Sequence, residues 1–203
     1  MQYRTLPHGG EQISVLGLGS SAIGQAGDRE MEATVALALE NGINYFDMAS
    51  ADAAPFAAYG NAISAAGMRD KVFFQIHFGA EYFTGKYGWT LDLDTIKRSV
   101  DWQLTQLKTD YIDFGFLHCI DEAEDYRKAR EAGTIDYLQE LKRQGVVRHI
   151  GMSSHTPAVA AQVLDDGLLD MLMFSINPAY DYQKGEYGLG GLDQRMALYR
   201  RCQ

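Results

Sequence analysis

Cysteine is scarce in this 203-residue chain. Its two copies, Cys119 and Cys202, lie far apart and fit neither a disulfide framework nor a CxxC metal spacing. Long apolar runs are missing as well: nothing approaches the roughly 20 residues that a membrane span requires. The opening stretch MQYRTLPHGGEQ has no apolar core of the kind a secretion signal carries, so the cytoplasm is the expected compartment. Positive charge is in short supply, with 18 Lys and Arg against 27 Asp and Glu and a formal net charge of -9. That balance argues against nucleic acid or an anionic membrane as the main partner, because both select basic patches. It leaves room for a local basic pocket that holds a phosphate. No linker, low-complexity tract or break in composition divides the chain, which predicts one domain over 1–203. What is present is ordinary globular material, 46% hydrophobic and 22% charged, long enough to bury a core.

The apolar pattern alternates between two periods. A hairpin is predicted over 1–14, turning at Pro7-His8-Gly9-Gly10, and a strand over 14–19 follows it. Asp28 or Arg29 opens a helix that places Met31, Val35, Ala38 and Leu39 on one face and ends at Asn41-Gly42. A strand over 43–46 comes next, then a short alanine-rich helix over 56–66 and a strand over 71–77. Asp92 or Asp94 caps a helix striped by Ile96, Val100, Leu104 and Leu107, and the next strand covers 111–117. A helix over 132–144 carries Ile135, Leu138 and Leu141, Gly145 ends it, and a strand covers 147–152. Thr156 as N-cap and Pro157 at the first helical position start a helix to Asp165, before a strand over 169–174 and a last amphipathic stretch from Leu192. Strict alternation of strand and helix predicts a parallel sheet covered by helices. The strands are near-continuous apolar runs, as strands buried on both faces are. With right-handed crossovers the choice is an open doubly wound sheet or a closed barrel.

In either architecture, chemistry collects at the C-terminal ends of the strands. Those ends read Gly19, Ser20 and Ser21; Asp47, with Asp52 just beyond; His77; His118; Ser153, Ser154 and His155; and Asn177. A single strand-end histidine is more often a hydrogen-bonded structural residue than a functional one. Three of the chain's 5 histidines converging on one face is a stronger signal. Gly17-Leu18-Gly19 is no dinucleotide fingerprint, because Gly24 has the wrong spacing for the third glycine.

Four blocks then carry a family likeness: LGLG (16–19), ENGINYFDMA (40–49), LKTDYID (107–113) leading to Leu117-His118, and LKRQGVVRHIGMS (141–153). In that order, and over almost the whole chain, they resemble the aldo-keto reductases. The resemblance implies a parallel α/β fold, the (β/α)8 TIM barrel of aldo-keto reductase type, its bottom closed by an N-terminal hairpin. It also implies NADP(H) or NAD(H) bound across the top, and a small-molecule carbonyl substrate. In the family a tyrosine hydroxyl protonates the carbonyl oxygen, a lysine paired with an aspartate lowers that tyrosine's pKa, and a histidine orients the oxygen. Carried over by position, Asp47 matches the aspartate and His118 the histidine. Counting back from Tyr59-Gly60-Asn61-Ala62-Ile63 puts Asp52 where the tyrosine belongs, and Tyr59 itself falls on an apolar packing position. Counting along Arg69-Asp70-Lys71-Val72 puts His77 in the place of the lysine. A histidine is charged only part of the time near neutral pH, whereas a lysine is a fixed charge. An imidazolium beside a carboxylate can itself give a proton, which makes His77 or His118 the expected general acid.

The same carry-over assigns cofactor contacts to Gly19, Ser20 and Ser21, to Ser153 and Ser154 in place of a Ser-Asn pair, to Met173 in place of a glutamine, and to Tyr180 as the ring that stacks on nicotinamide. A serine hydrogen-bonds a carboxamide well and a methionine poorly. A closed barrel needs eight βα units in roughly 250 residues. Six strands are countable here, so the expectation is an incomplete barrel with about six βα units, a C-terminally truncated form of a longer protein. Its first and sixth strands would be apolar edges, which predicts self-association. The run FDMASADAAPFAAYG (46–60) also resembles a branch whose members carry a C-terminal ferredoxin-like extension with 4Fe-4S clusters. A cluster and a redox partner would then belong to a region beyond this chain. Two other readings stay open. One is a metal-dependent enzyme using His77, His118, His155 and Asp47, residue types that suit zinc; the other is a non-catalytic or electron-transfer scaffold. The aromatic loop over 78–89 either overhangs the site or packs as an Ω-loop.

Overall fold

A computed structural model of the chain describes residues 1–176 and 192–203. The first element is the expected hairpin: β1 (Tyr3–Thr5) and β2 (Gln12–Ser14) pair antiparallel. Then come β3 (Leu18–Gly19), α1 (Asp28–Glu40), β4 (Tyr45–Asp47), α2 (Ala54–Ala65) and β5 (Phe73–Phe78). Two short strands, β6 (Ala80–Glu81) and β7 (Gly88–Trp89), precede α3 (Leu93–Leu107) and β8 (Ile112–Leu117). The described chain continues with α4 (Ala123–Glu131), α5 (Thr134–Arg143), β9 (Val147–Ser153), α6 (Pro157–Asp165), β10 (Met171–Met173) and α7 (Leu192–Arg201). Six strands form one sheet in the order β10-β9-β8-β5-β4-β3, every pair parallel. This is an incomplete (β/α)8 barrel, a curved wall with helices outside.

Several expectations shift in detail. The strand expected over 14–19 contracts to Leu18–Gly19, because Ser14 Oγ turns back to the Leu16 carbonyl at 2.7 Å and its amide is held by Asn44 Oδ1 at 2.8 Å. The strand expected over 169–174 keeps only Met171–Met173. Asp92 caps α3 as read, its carboxylate accepting the Thr95 amide at 2.8 Å. Thr156 stands at the N-cap of α6, yet its side chain makes no capping bond; Ser154 Oγ accepts the Thr156 amide instead, at 3.2 Å. The helix expected over 132–144 is α5, and α4 before it is an additional element.

Period-two alternation sorts the strand residues between two faces. Phe46, Phe74, Ile76 and Phe78 point outward into the main core, against Val35 of α1, Tyr59 and Ile63 of α2 and Ile96 and Val100 of α3. Each fully buried aromatic or branched side chain contributes roughly 1.5–3 kcal/mol. The inner face is different. Its lower part is apolar, with Phe114 and Phe116 packed on Ile13 of the hairpin and flanked by Tyr45, Phe73 and Met171. Its upper part is polar, because Asp47, Gln75 and His77 occupy the inward positions of β4 and β5. The hairpin plugs the bottom, so the open end is the one where the strands finish.

Candidate active site

Strand register delivers the candidate residues to one level. Asp47 lies opposite Gln75, His77 opposite Phe116, and Met173 opposite Ser153. His118 directly follows β8, its amide bonded to the Phe78 carbonyl at 3.0 Å. The result is a continuous hydrogen-bonded chain. Asp47 Oδ1 meets His77 Nε2 at 2.8 Å, His77 Nδ1 meets His118 Nδ1 at 2.9 Å, and His118 Nε2 meets the Tyr87 hydroxyl at 3.0 Å. Gln75 braces the carboxylate by giving its amide proton to Asp47 Oδ1 at 2.9 Å, and its own carbonyl accepts from the Tyr45 hydroxyl. Both histidines are buried, at 1% and 7% exposure, while Tyr87 at the far end is 41% exposed.

Burial pushes His118 down to about 2; the neighbouring His77 and His155 push the same way, and Asp121 opposes them. His118 is therefore a neutral imidazole with a single ring proton. The chain has two complete settings. In one, Tyr87 donates to His118 Nε2, and His118 Nδ1–H donates to His77. In the other, His77 Nδ1–H donates to His118, and His118 Nε2–H donates to the Tyr87 oxygen. They differ by one proton on His77, so the arrangement can store a proton and pass it along.

Two adjoining clefts share Ala49, His118, Cys119 and His155. The larger, of about 880 Å³, is lined by Ser21, Ser50, Tyr82, Tyr87, Trp89 and Asp121 among others. The smaller, of about 360 Å³, is lined by Asp47, His77, Ser153, Ser154, Met173 and Phe174 among others. Cys119 stands between them with φ 49°, its amide bonded to Ser153 Oγ at 2.9 Å, and burial pushes its thiol up to about 11. His155 is held by Asp121 through its Nδ1 at 2.8 Å.

Asp47, His77 and His118 thus come together, and Ser153, Ser154 and Met173 border them. Asp52 does not join: it lies on the rim in an ion pair with Lys86, its amide bonded to Ser50 Oγ at 3.2 Å. The physical reason is an isolated antiparallel bridge between Asp52 and Lys86, which turns the segment after β4 toward the neighbouring loop. Of Gly19, Ser20 and Ser21, Ser21 lines the larger of these two clefts, and Ser20 is fully buried. Tyr59 is a packing residue, edge-on to Phe46, its hydroxyl bonded to the Gly19 carbonyl at 3.2 Å. Asn177 and Tyr180 lie outside the described residues. Among the described residues, no three His, Cys, Asp or Glu side chains gather as a metal-ligand set.

Gln75 and Tyr87 escaped the reading of strand ends. Gln75 was accessible in principle, since it lies two residues before His77 and so shares its face. Tyr87 belongs to the aromatic loop, which folds as the β6–β7 hairpin with Tyr82 buried and Tyr87 and Trp89 at the cleft.

The aldo/keto reductase family model matches residues 15–180. A relative named "Uncharacterized oxidoreductase YqkF", from Bacillus subtilis (strain 168), is 31% identical over 87% of this chain and 56% of its own length. L-Galactose dehydrogenase of Arabidopsis thaliana is 27% identical over 85% of this chain and 56% of its own. Among solved structures, the holo form of aldo-keto reductase AKR11C1 from Bacillus halodurans superposes with a TM-score of 0.73 at 26% identity, covering 94% of this chain and 65% of that one. The chain spans about half the length of the curated relatives it matches.

Proposed function

The chain belongs to the aldo/keto reductase family, and from that premise we propose that it supplies the acid half of a nicotinamide-linked oxidoreductase acting on small-molecule carbonyl compounds. The observation that carries this reading is the buried Asp47–His77–His118 chain at the strand ends. Here the atypical residues take over the family's task. His77, seated where a lysine is usual, bridges the carboxylate and the second imidazole. Asp52, seated where the tyrosine is usual, is engaged with Lys86 instead.

The smaller cleft fits a nicotinamide ring. Ser153 Oγ accepts the Cys119 amide and keeps its own proton to give to a carboxamide oxygen. Met173 and Phe174 offer apolar surface, and Asp47 and His77 also line the cleft. When bound, NADP(H) or NAD(H) would supply or accept the hydride. The larger cleft is left for substrate, with Tyr87, Trp89 and His118 beside it. We further infer that the 203-residue chain by itself self-associates through the edges β3 and β10, each with one neighbour in the described sheet.

Titrating the whole protein with NADPH while following its fluorescence, and then assaying NADPH oxidation with a panel of aldehydes and ketones, tests the reading. Saturable binding and carbonyl-dependent oxidation are expected. Replacing His77→Ala should lower turnover about 100-fold or more, the usual range for a displaced acid–base group, while cofactor binding is retained. Turnover of H77A at the wild-type rate would remove His77 from the mechanism.

A further inference from the structure

We propose that Tyr87, carried on the β6–β7 hairpin, is the proton donor to the substrate carbonyl, and that Asp52 holds it in place by gripping Lys86. The inference rests on the reductase reading above. Its starting point is a vacancy in the usual arrangement: position 52 holds a carboxylate rather than a phenol. A phenol reaches the same histidine from the next loop, with the Tyr87 hydroxyl 3.0 Å from His118 Nε2.

The hairpin that brings it there is anchored to the segment after β4 at consecutive points. The Tyr87 amide donates to the Ala51 carbonyl at 3.0 Å, and the Ala53 amide donates to the Gly85 carbonyl at 3.0 Å. Between them lie the Asp52–Lys86 bridge and ion pair. On the other side, the Trp89 indole donates to the His118 carbonyl at 3.2 Å, and Tyr82 is buried with its ring 6.2 Å from that of Tyr87. Tyr87 is thus fixed from both flanks and still lines the larger cleft. Asp52 touches neither histidine; it acts through Lys86 and is a positioning residue.

The proton balance closes on these groups. In the loaded setting His77 carries a proton on each ring nitrogen, Nε2–H toward Asp47 and Nδ1–H toward His118. His118 gives Nε2–H to the Tyr87 oxygen, and Tyr87, which lines the larger cleft, gives its own proton to a carbonyl oxygen bound there. A bound reduced nicotinamide would supply the hydride to the carbonyl carbon; the C=O π pair would move onto oxygen, and that oxygen takes the Tyr87 proton. Tyr87 takes the His118 Nε2 proton, and His118 Nδ1 takes the His77 Nδ1 proton. The substrate would become an alcohol by gain of one hydride and one proton, the nicotinamide having given up the hydride, and His77 is left neutral beside the Asp47 carboxylate until a proton from solvent reloads it. A neutral His118 is what such a relay requires, since each ring nitrogen must exchange roles as the proton passes.

The test uses the whole protein and the variant Tyr87→Phe, which removes one hydroxyl and nothing else. Turnover should fall about 100-fold or more, NADPH affinity should stay within about twofold, and the ¹⁵N resonance of His118 Nε2 should shift as its partner is lost. Asp52→Ala should lower kcat about tenfold with a smaller change in KM, and Asp52→Glu should restore it. Y87F turning over like wild type overturns the assignment and leaves the reductase reading intact. Loss of NADPH affinity in Y87F also overturns it, because the residue would then be structural. A wild-type protein that oxidises NADPH with no carbonyl removes the reductase reading, and the assignment falls with it. An unchanged D52A sinks the positioning role alone.

Discussion

His118 is held neutral by burial, and that has a cost on the acid side. Its ordinary value is 6.5 and its folded value about 2. Between those limits the unfolded chain binds a proton that the folded chain refuses, so stability is full above about pH 6.5 and falls as the pH drops toward 2. The groups facing His118 are His77 from β5, Tyr87 from the hairpin, Cys119 and Asp121 beyond β8, and His155 beyond β9. Urea unfolding of the wild type should lose about 2 kcal/mol between pH 6.5 and 5, at about 1.4 kcal/mol per unit. His118→Gln should remove most of that slope; an unchanged slope would place the acid sensitivity elsewhere. At this scale the grouping of Asp47, His77 and His118 at the strand ends was legible. Asp47, His77 and His118 are polar residues at the ends of apolar runs, and a parallel sheet brings such ends to one face. Tyr87 was not legible, because its contact with His118 spans 31 residues and exists only once the chain is folded.

Elements with a strong apolar period were read correctly, and those without one were missed. In α4, AEDYRKARE, only Tyr126 and Ala129 are buried, and Glu124, Arg127 and Glu131 pair with one another on its surface. No stripe marks such a helix, since its stability comes from surface pairs and two anchors. The β6–β7 hairpin has two-residue strands, too short for alternation to register. The packing of α2 on α3 offers a sharper test. Gly60 lies in the middle of α2, where alanine would ordinarily gain roughly 1 kcal/mol of helix propensity. A Cβ there would overlap the Gln106 carbonyl oxygen and come within 2.9 Å of Leu107 Cα. Backbone cannot step aside as a side chain can, so overpacking of about 1–3 kcal/mol should win. Gly60→Ala is therefore expected to lower the denaturant midpoint, and a raised midpoint would show that the helices separate at little cost.

For the molecule as a whole, alternation of strand and helix sufficed to establish the parallel sheet and its polar end, because topology follows from period and handedness rather than from individual contacts. Strand lengths at the edges were overread, as Ser14 and Asn44 divert backbone hydrogen bonds that β3 would otherwise use. Those edges carry the last expectation. With β3 and β10 each paired on one side among the described residues, the 203-residue chain should elute from a sizing column as oligomers that grow with concentration. A monodisperse monomer with one sharp melt would contradict it. The pairing of Asp52 with Lys86 has a different kind of consequence. It makes the segments after β4 and β5 a single transferable unit: the donor sits on one, the clamp on the other, and each is of little use alone. Redesign of this protein, or grafting of its chemistry onto another barrel, must therefore move residues 48–53 and 79–90 together. Divergence between such proteins would be expected to change both loops in one step or neither.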